Sequence, residues 1–343
     1  MKSLLASTAF LLGAALSSAS LAQTAAGGAV AGAGASFPAP LYAAWAADYQ
    51  AAKGMSVTYQ PVGSGAGVRQ IEASAVDFGG TDKPLTQADL DKNGLIQFPT
   101  VLGGVVPVIN VPGLESGKLR LDGPALADIF SGKITKWNDP RLQALNPGLS
   151  LPDWPVTVAY RSDKSGTSYL FTTYLSSVSP AWKAGPGAGD TVAWPAGLGG
   201  KGNAGVAEIM AQSMGTIGYV EYAYAKQNKL DLVVLKTHDG AFIEPDPATF
   251  SAAAEKADWA HAPGLGLLIL DQPGARSWPI TAATFVLVRK DASAGRRQQV
   301  LRFFDWDFAG GDARAAKENY VPLPAPVKAL VRKSWGADAP VGD

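Results

Sequence analysis

Val156-Thr157-Val158-Ala159-Tyr160-Arg161-Ser162-Asp163-Lys164-Ser165-Gly166-Thr167-Ser168 is the stretch from which the fold is read. Its first five residues are apolar or β-branched and predict a strand. Leu170, Tyr174 and Val178 follow at i, i+4 and i+8, the spacing of a helix. Between them lie a permanent cation, several hydroxyls and a glycine. That composition suits a helix start built to hold an anion.

The same alternation runs outward in both directions. Leu41, Trp45 and Tyr49 predict a helix, residues 57–62 a strand, and Val68, Ile71 and Ala75 a second helix. Residues 76–80 read as a strand and 101–111 as an apolar, buried one. Residues 122–130 predict a short helix stopped by Gly132. Residues 184–189 and 197–205 read as glycine-rich loops, the second followed by a helix to Met214. Strands are expected at 232–235 and 281–288, then two amphipathic helices. Alternation of this kind implies an α/β fold with helices on both faces of the sheets.

Composition narrows the function. Lys2, an apolar run from Leu4 to Leu16 and Ser20-Leu21-Ala22 have the form of a cleavable export signal over residues 1–22. No later run approaches a membrane span, so an exported, periplasmic protein is expected, with a mobile Ala/Gly-rich start. Residues 23–343 exceed one compact core, which predicts two lobes. The chain has no cysteine, hence neither disulfides nor a lipid-anchoring thiol. Lys+Arg and Asp+Glu both number 29, which argues against nucleic acid or a membrane surface as main partner. It leaves a small anion open, because local donors hold one.

Two further turns share the style of the first. Gly32-Ala33-Gly34-Ala35-Ser36-Phe37 precedes Pro38 and a helical pattern, and Gly63-Ser64-Gly65-Ala66-Gly67 lies between a strand and a helix. Each would aim unpaired N–H groups and the positive end of a helix dipole at a ligand. Singly, such residues serve as plain caps more often than as ligands. Three turns with an arginine are harder to dismiss. No G-x-x-x-x-G-K-[ST] phosphate loop occurs, and Gly199-Gly200-Lys201-Gly202-Asn203 reads as a loop and helix start.

Taken together, these runs resemble the periplasmic phosphate-binding proteins of bacterial ABC transporters. The resemblance covers nearly the whole chain after the signal. It includes Gly32 to Pro40, Val76-Asp77-Phe78-Gly79 with Thr81-Asp82, Lys136-Trp137-Asn138-Asp139, Ser165-Gly166-Thr167-Ser168, Ile217 to Ala223, Trp278-Pro279-Ile280-Thr281 and Phe303-Phe304-Asp305-Trp306. It implies a two-lobed, type II-like periplasmic binding protein fold with the ligand in the cleft. Lobe I would comprise residues 30–105 and 281–343, and lobe II residues 106–280. It implies that Ser36, the Phe37 N–H, Ser64, Asp82, Arg161, Ser165, Gly166 and Thr167 hold phosphate, with Asp163 orienting Arg161. It further implies a monomer that delivers phosphate to a membrane permease and ATPase complex, with no cofactor and no metal.

The chemistry of these residues has its own logic. A buried oxyanion needs nearly every lone pair satisfied. Arg161 offers a forked, permanent donor set, and Asp163 can balance its charge. Asp82 facing an anion makes sense only if the ligand has a proton to give. Phosphate has one at neutral pH and sulfate has none. The plainer reading of Asp82 is a turn residue before Pro84.

Three rivals remain at this point. Another tetrahedral oxyanion such as sulfate would gain nothing from Asp82. A periplasmic phosphatase or esterase needs a nucleophile with a base, or metals. The chain has two histidines, His238 and His261, neither in a ligand-like cluster, and no G-x-S-x-G elbow. An interaction or adhesion protein would need an exposed aromatic patch, which the nine tryptophans could supply.

Overall fold

A computed structural model describes residues 29–340. The export signal expected at 1–22 lies outside the described residues. The spine of the molecule is one ten-stranded sheet. Its main path runs Val57–Gln60, Val30–Gly34, Phe78–Thr81, Thr281–Arg289, Leu95–Asn110, Thr216–Glu221, Thr157–Arg161 and Leu198–Gly200. The flanking strands pair in parallel at both ends, and the central ones antiparallel. A separate three-stranded sheet joins Arg120–Leu121, Val234–Lys236 and Phe242–Ile243.

The 16-residue strand Leu95–Asn110 links the two halves. From Leu95 to Gly104 it pairs with Thr281–Arg289, and from Val105 to Asn110 with Thr216–Glu221. All but two of its residues are buried, as the apolar run predicts for a strand covered on both faces. A rosette of rings backs one half: Phe304 meets Tyr42, Phe78 and Phe98, and Phe98 meets Trp335. A second cluster of Phe130, Phe171, Trp194 and Tyr219 backs the other. The segment after the helix Pro247–Ala254 returns toward the first half. There the Gly264 carbonyl accepts from Gln97 Nε2 at 3.1 Å.

Most expected elements form. The predicted helices appear as Ala39–Lys53, Ser64–Glu72, Gly123–Phe130 and Gly166–Val178. Asp122 caps the third through the Ala125 N–H, and Gly132 follows it with φ of 74°.

Four segments differ from expectation. Val30–Gly34 is a buried strand paired on both sides, where the sequence suggests a turn beginning at Gly32. Its Ala and Gly residues give no two-residue alternation to read, and its glycines stand where neighbours approach closely, the Phe78 ring at Gly32 and the Gly80 backbone at Gly34. A Cβ on Gly32 would sit 2.1 Å from the Phe78 ring. The loop expected at 197–205 contains the edge strand Leu198–Gly200 and the start of the helix Gly202–Gln212. The strand expected at 232–235 divides into Asp231–Leu232 and Val234–Lys236, which join different sheets. The C-terminal part carries three α-helices, Ala294–Gly310, Asp312–Lys317 and Ala325–Ser334, instead of two.

One buried group weakens this core. Neither carboxylate oxygen of Asp307 has a hydrogen-bond partner among the described residues. Burial, then Asp48, push its pKa up to about 9. A raised pKa gives stability at low pH that is lost as pH rises from about 4 toward 9. Asp307→Asn is therefore expected to stabilise the protein by about 2 kcal/mol at pH 8, and by less at pH 5, measured by urea unfolding. An equal gain at both pH values would contradict this origin.

Candidate functional site

Five strands that pair in parallel deliver their carboxyl ends to one place. Val30–Gly34 leads to Ser36, Val57–Gln60 to Ser64, and Phe78–Thr81 to Asp82. From the other half, Thr157–Arg161 ends in Arg161 and Leu198–Gly200 leads to Gly202 and Asn203. Open α/β sheets bind ligands in the crevice outside such strand ends. Four helices also begin here, at Ala39, Ser64, Gly166 and Gly202, so their positive ends converge on one cluster.

The structure brings the expected residues together. Ser36, Phe37, Ser64, Asp82, Arg161, Ser165 and Thr167 are all buried. Ser64 Oγ accepts from the Gly166 N–H at 3.1 Å and the Asp82 N–H at 3.3 Å. Arg161 forks onto Asp163, with Nε to Oδ1 at 2.8 Å and Nη2 to Oδ2 at 2.6 Å. Its Nη1 donates to Thr167 Oγ1 at 3.2 Å. Ser165 Oγ accepts from the Ser168 N–H at 3.0 Å as a helix cap, and keeps its own proton to donate. Gly166 has to be a glycine at this approach. A Cβ there would stand 2.5 Å from Ser64 Oγ and 2.7 Å from Asp82 Cβ.

Asp82 is the acceptor at the centre of these donors. Thr284 Oγ1 donates to its Oδ1 at 2.8 Å and Thr167 Oγ1 to its Oδ2 at 3.4 Å. Burial raises its pKa to about 7, against the pull of Thr284, Arg161 and Thr167. Burial would raise Asp163 as well, but bonds from Arg161 and from the Gly202 N–H at 3.0 Å hold it below the usual carboxylate range. One carboxylate thus balances the arginine, and the other accepts from two hydroxyls in the midst of the cluster.

Two residues of this cluster were not foreseen. Asn203 donates from its N–H and its Nδ2 to Ser36 Oγ, at 3.1 and 3.0 Å, and its Oδ1 accepts from the Glu221 N–H at 3.0 Å. Its signal is the Gly-rich approach to a helix, the same as at the other turns. Thr284 stands in the apolar strand Thr281–Arg289, where a buried hydroxyl is the only hint. His238 and His261 are exposed and pair with Asp271 and Asp258, away from this cluster. Among the described residues no group of His, Asp and Glu is placed to hold a metal ion.

Comparison with known proteins agrees with this architecture. Residues 19–308 match the model of the PBP superfamily domain. The Phosphate-binding protein PstS of Xylella fastidiosa (strain 9a5c) is 48% identical over 310 residues, covering 90% of this chain and 85% of that protein. The Phosphate-binding protein PstS of Haemophilus influenzae is 48% identical over 307 residues, covering 89% and 92%. A Phosphate-Binding Protein from Stenotrophomonas maltophilia shares the fold, with a TM-score of 0.69 at 22% identity, covering 89% of this chain and 93% of that one. The chain belongs to the PBP superfamily and, within it, to the family of the PstS phosphate-binding proteins.

Proposed function

We propose that this protein captures inorganic phosphate in the periplasm and delivers it to the permease and ATPase complex of an ABC transporter. The observation that carries the reading is Asp82, a single buried acceptor set among donors from Ser36, Ser64, Arg161, Ser165, Gly166 and Thr167. Donors alone would suit any oxyanion, and the acceptor selects one that carries a proton. The Phe37 N–H completes the donor set at the head of the Ala39–Lys53 helix. The names of the relatives support the same ligand.

Closure of two lobes about a hinge is the mechanism. Among the described residues, 30–105 and 281–340 form one lobe and 106–280 the other, apart from the stretch around Gly264, which packs on the first. The Leu95–Asn110 strand changes partners between Gly104 and Val105, which supports a hinge there. The ligand bridges Ser36, Ser64 and Asp82 on one lobe and the Arg161 turn on the other, so binding favours the closed state. The protein acts as a monomer that binds and releases, without catalysis. Among the described residues no helix is long and apolar enough to cross a membrane.

Equilibrium dialysis of the mature, ligand-stripped protein against radiolabelled phosphate tests the capture. One phosphate retained per chain supports it, and none refutes it. Closure has its own test. Gly166→Ala keeps a helical backbone position but wedges the jaws apart at Ser64. It is expected to cost about 100-fold in phosphate affinity and to abolish the phosphate-induced fall in radius of gyration by X-ray scattering. An unchanged contraction would contradict the tight approach described at this glycine.

A further inference from the structure

We propose that Glu221 is a positioning residue for the anion site, holding the Ser36–Phe37 peptide from behind through Tyr320 and Tyr224. The proposal rests on the phosphate reading and adds residues that do not themselves touch the ligand. Glu221 ends the strand Thr216–Glu221, pairs with Val105 where the sheet passes between its halves, and is fully buried. Its Oε2 caps the following helix, Tyr222–Gln227, by accepting from the Ala223 N–H at 2.8 Å. That helix carries Tyr224, whose hydroxyl donates to the Ser36 carbonyl at 2.8 Å. Glu221 Oε2 also lies 3.1 Å from the Tyr320 hydroxyl, and that hydroxyl lies 2.6 Å from the Phe37 carbonyl. Two successive carbonyls of the first turn are thus gripped by two tyrosines organised by one carboxyl group.

The Tyr320 hydroxyl stands between two acceptors. A tyrosine hydroxyl has one proton. It goes chiefly to the Phe37 carbonyl at 2.6 Å, with Glu221 Oε2 as the second, longer acceptor at 3.1 Å. Burial, helped by Asp82, holds Glu221 well above the usual carboxylate range. The Tyr320 hydroxyl is thus held between the Phe37 carbonyl and Glu221 Oε2, which fixes its orientation behind the turn. The carbonyls so held fix the plane of the Ser36–Phe37 peptide and the aim of the Phe37 N–H. Asn203 ties the same group to the Ser36 hydroxyl, through the Glu221 N–H on one side and Ser36 Oγ on the other.

The test is phosphate affinity by calorimetry for the wild type, Tyr320→Phe, Tyr224→Phe, Glu221→Gln and the double variant Glu221→Gln/Tyr320→Phe. The Phe37 amide proton is followed by NMR on phosphate addition. Tyr320→Phe and Glu221→Gln are each expected to weaken binding about tenfold, and the double variant no more than the worse single. The phosphate-induced shift of the Phe37 amide shrinks in both. A purely structural role would lower stability and leave that shift and the coupling untouched. Tyrosine variants that bind within twofold of wild type with an unchanged Phe37 shift overturn the proposal, even if Glu221→Gln fails to fold. A wild type that does not bind phosphate overturns the phosphate reading and this proposal together, whereas failure of the variants alone overturns only this one.

Discussion

Arg161→Met is expected to lower phosphate affinity by about 10³-fold. Removing one partner of a buried ion pair costs roughly 3–5 kcal/mol, because the other charge is left without compensation. The Arg161 side chain is 1% exposed, and its fork makes two bonds to Asp163 and one to Thr167. The variant would confront an incoming anion with Asp163 unneutralised and Asp82 nearby. Adding Asp163→Asn to Arg161→Met should therefore recover part of the loss. Arg161→Lys keeps the charge but not the fork, and should still lose more than tenfold. Calorimetry on ligand-stripped protein reads all three. An Arg161→Met affinity within tenfold of wild type would contradict the assignment of Arg161 as the charged donor.

Asp82→Asn is expected to collapse discrimination between phosphate and sulfate. A site built to pair one ligand proton rejects an analogue lacking it by about 10⁴–10⁵, since two acceptors then face each other. The amide replaces an obligatory acceptor with a group that can also donate, so sulfate gains a partner where it had met repulsion. The ratio of the two affinities should fall by about 10³-fold or more. A pH signature accompanies this. The raised pKa of Asp82, about 7, means that its contribution to ligand-free stability is present below about pH 4 and lost as pH rises toward 7. Asp82→Asn should flatten that part of the stability–pH curve, measured by urea midpoints at pH 4 and 7. An unchanged phosphate-to-sulfate ratio would leave the acceptor without a role.

The site was more legible in the sequence than the strand that leads to Ser36. Arg161, Ser165, Gly166 and Thr167 lie within seven residues, so their chemistry shows in a local pattern. Val30–Gly34 carries no pattern of its own, because the Phe78 ring leaves no room for a side chain at position 32 and the Gly80 backbone none at 34. Asn203 was visible as a helix start, but nothing local shows that it points at Ser36, 167 residues away. Thr284, Glu221 and Tyr320 are polar residues in apolar surroundings. Their roles depend on partners 99 to 283 residues distant, which only the folded sheet brings near. Two of the secondary-structure differences have the same origin. Residues 232–235 divide because neighbouring residues find edges of two different sheets, and Leu198–Gly200 forms a strand only because Thr157–Arg161 offers it an edge.

The central claim is that a donor cluster with one acceptor binds phosphate and excludes sulfate. Calorimetry of the mature, ligand-stripped protein, titrated with sulfate and then with phosphate at neutral pH, tests it most directly. The account predicts no heat with sulfate, followed by a one-to-one isotherm with phosphate that sulfate does not displace. Silence with phosphate, or equal binding of both anions, would contradict it.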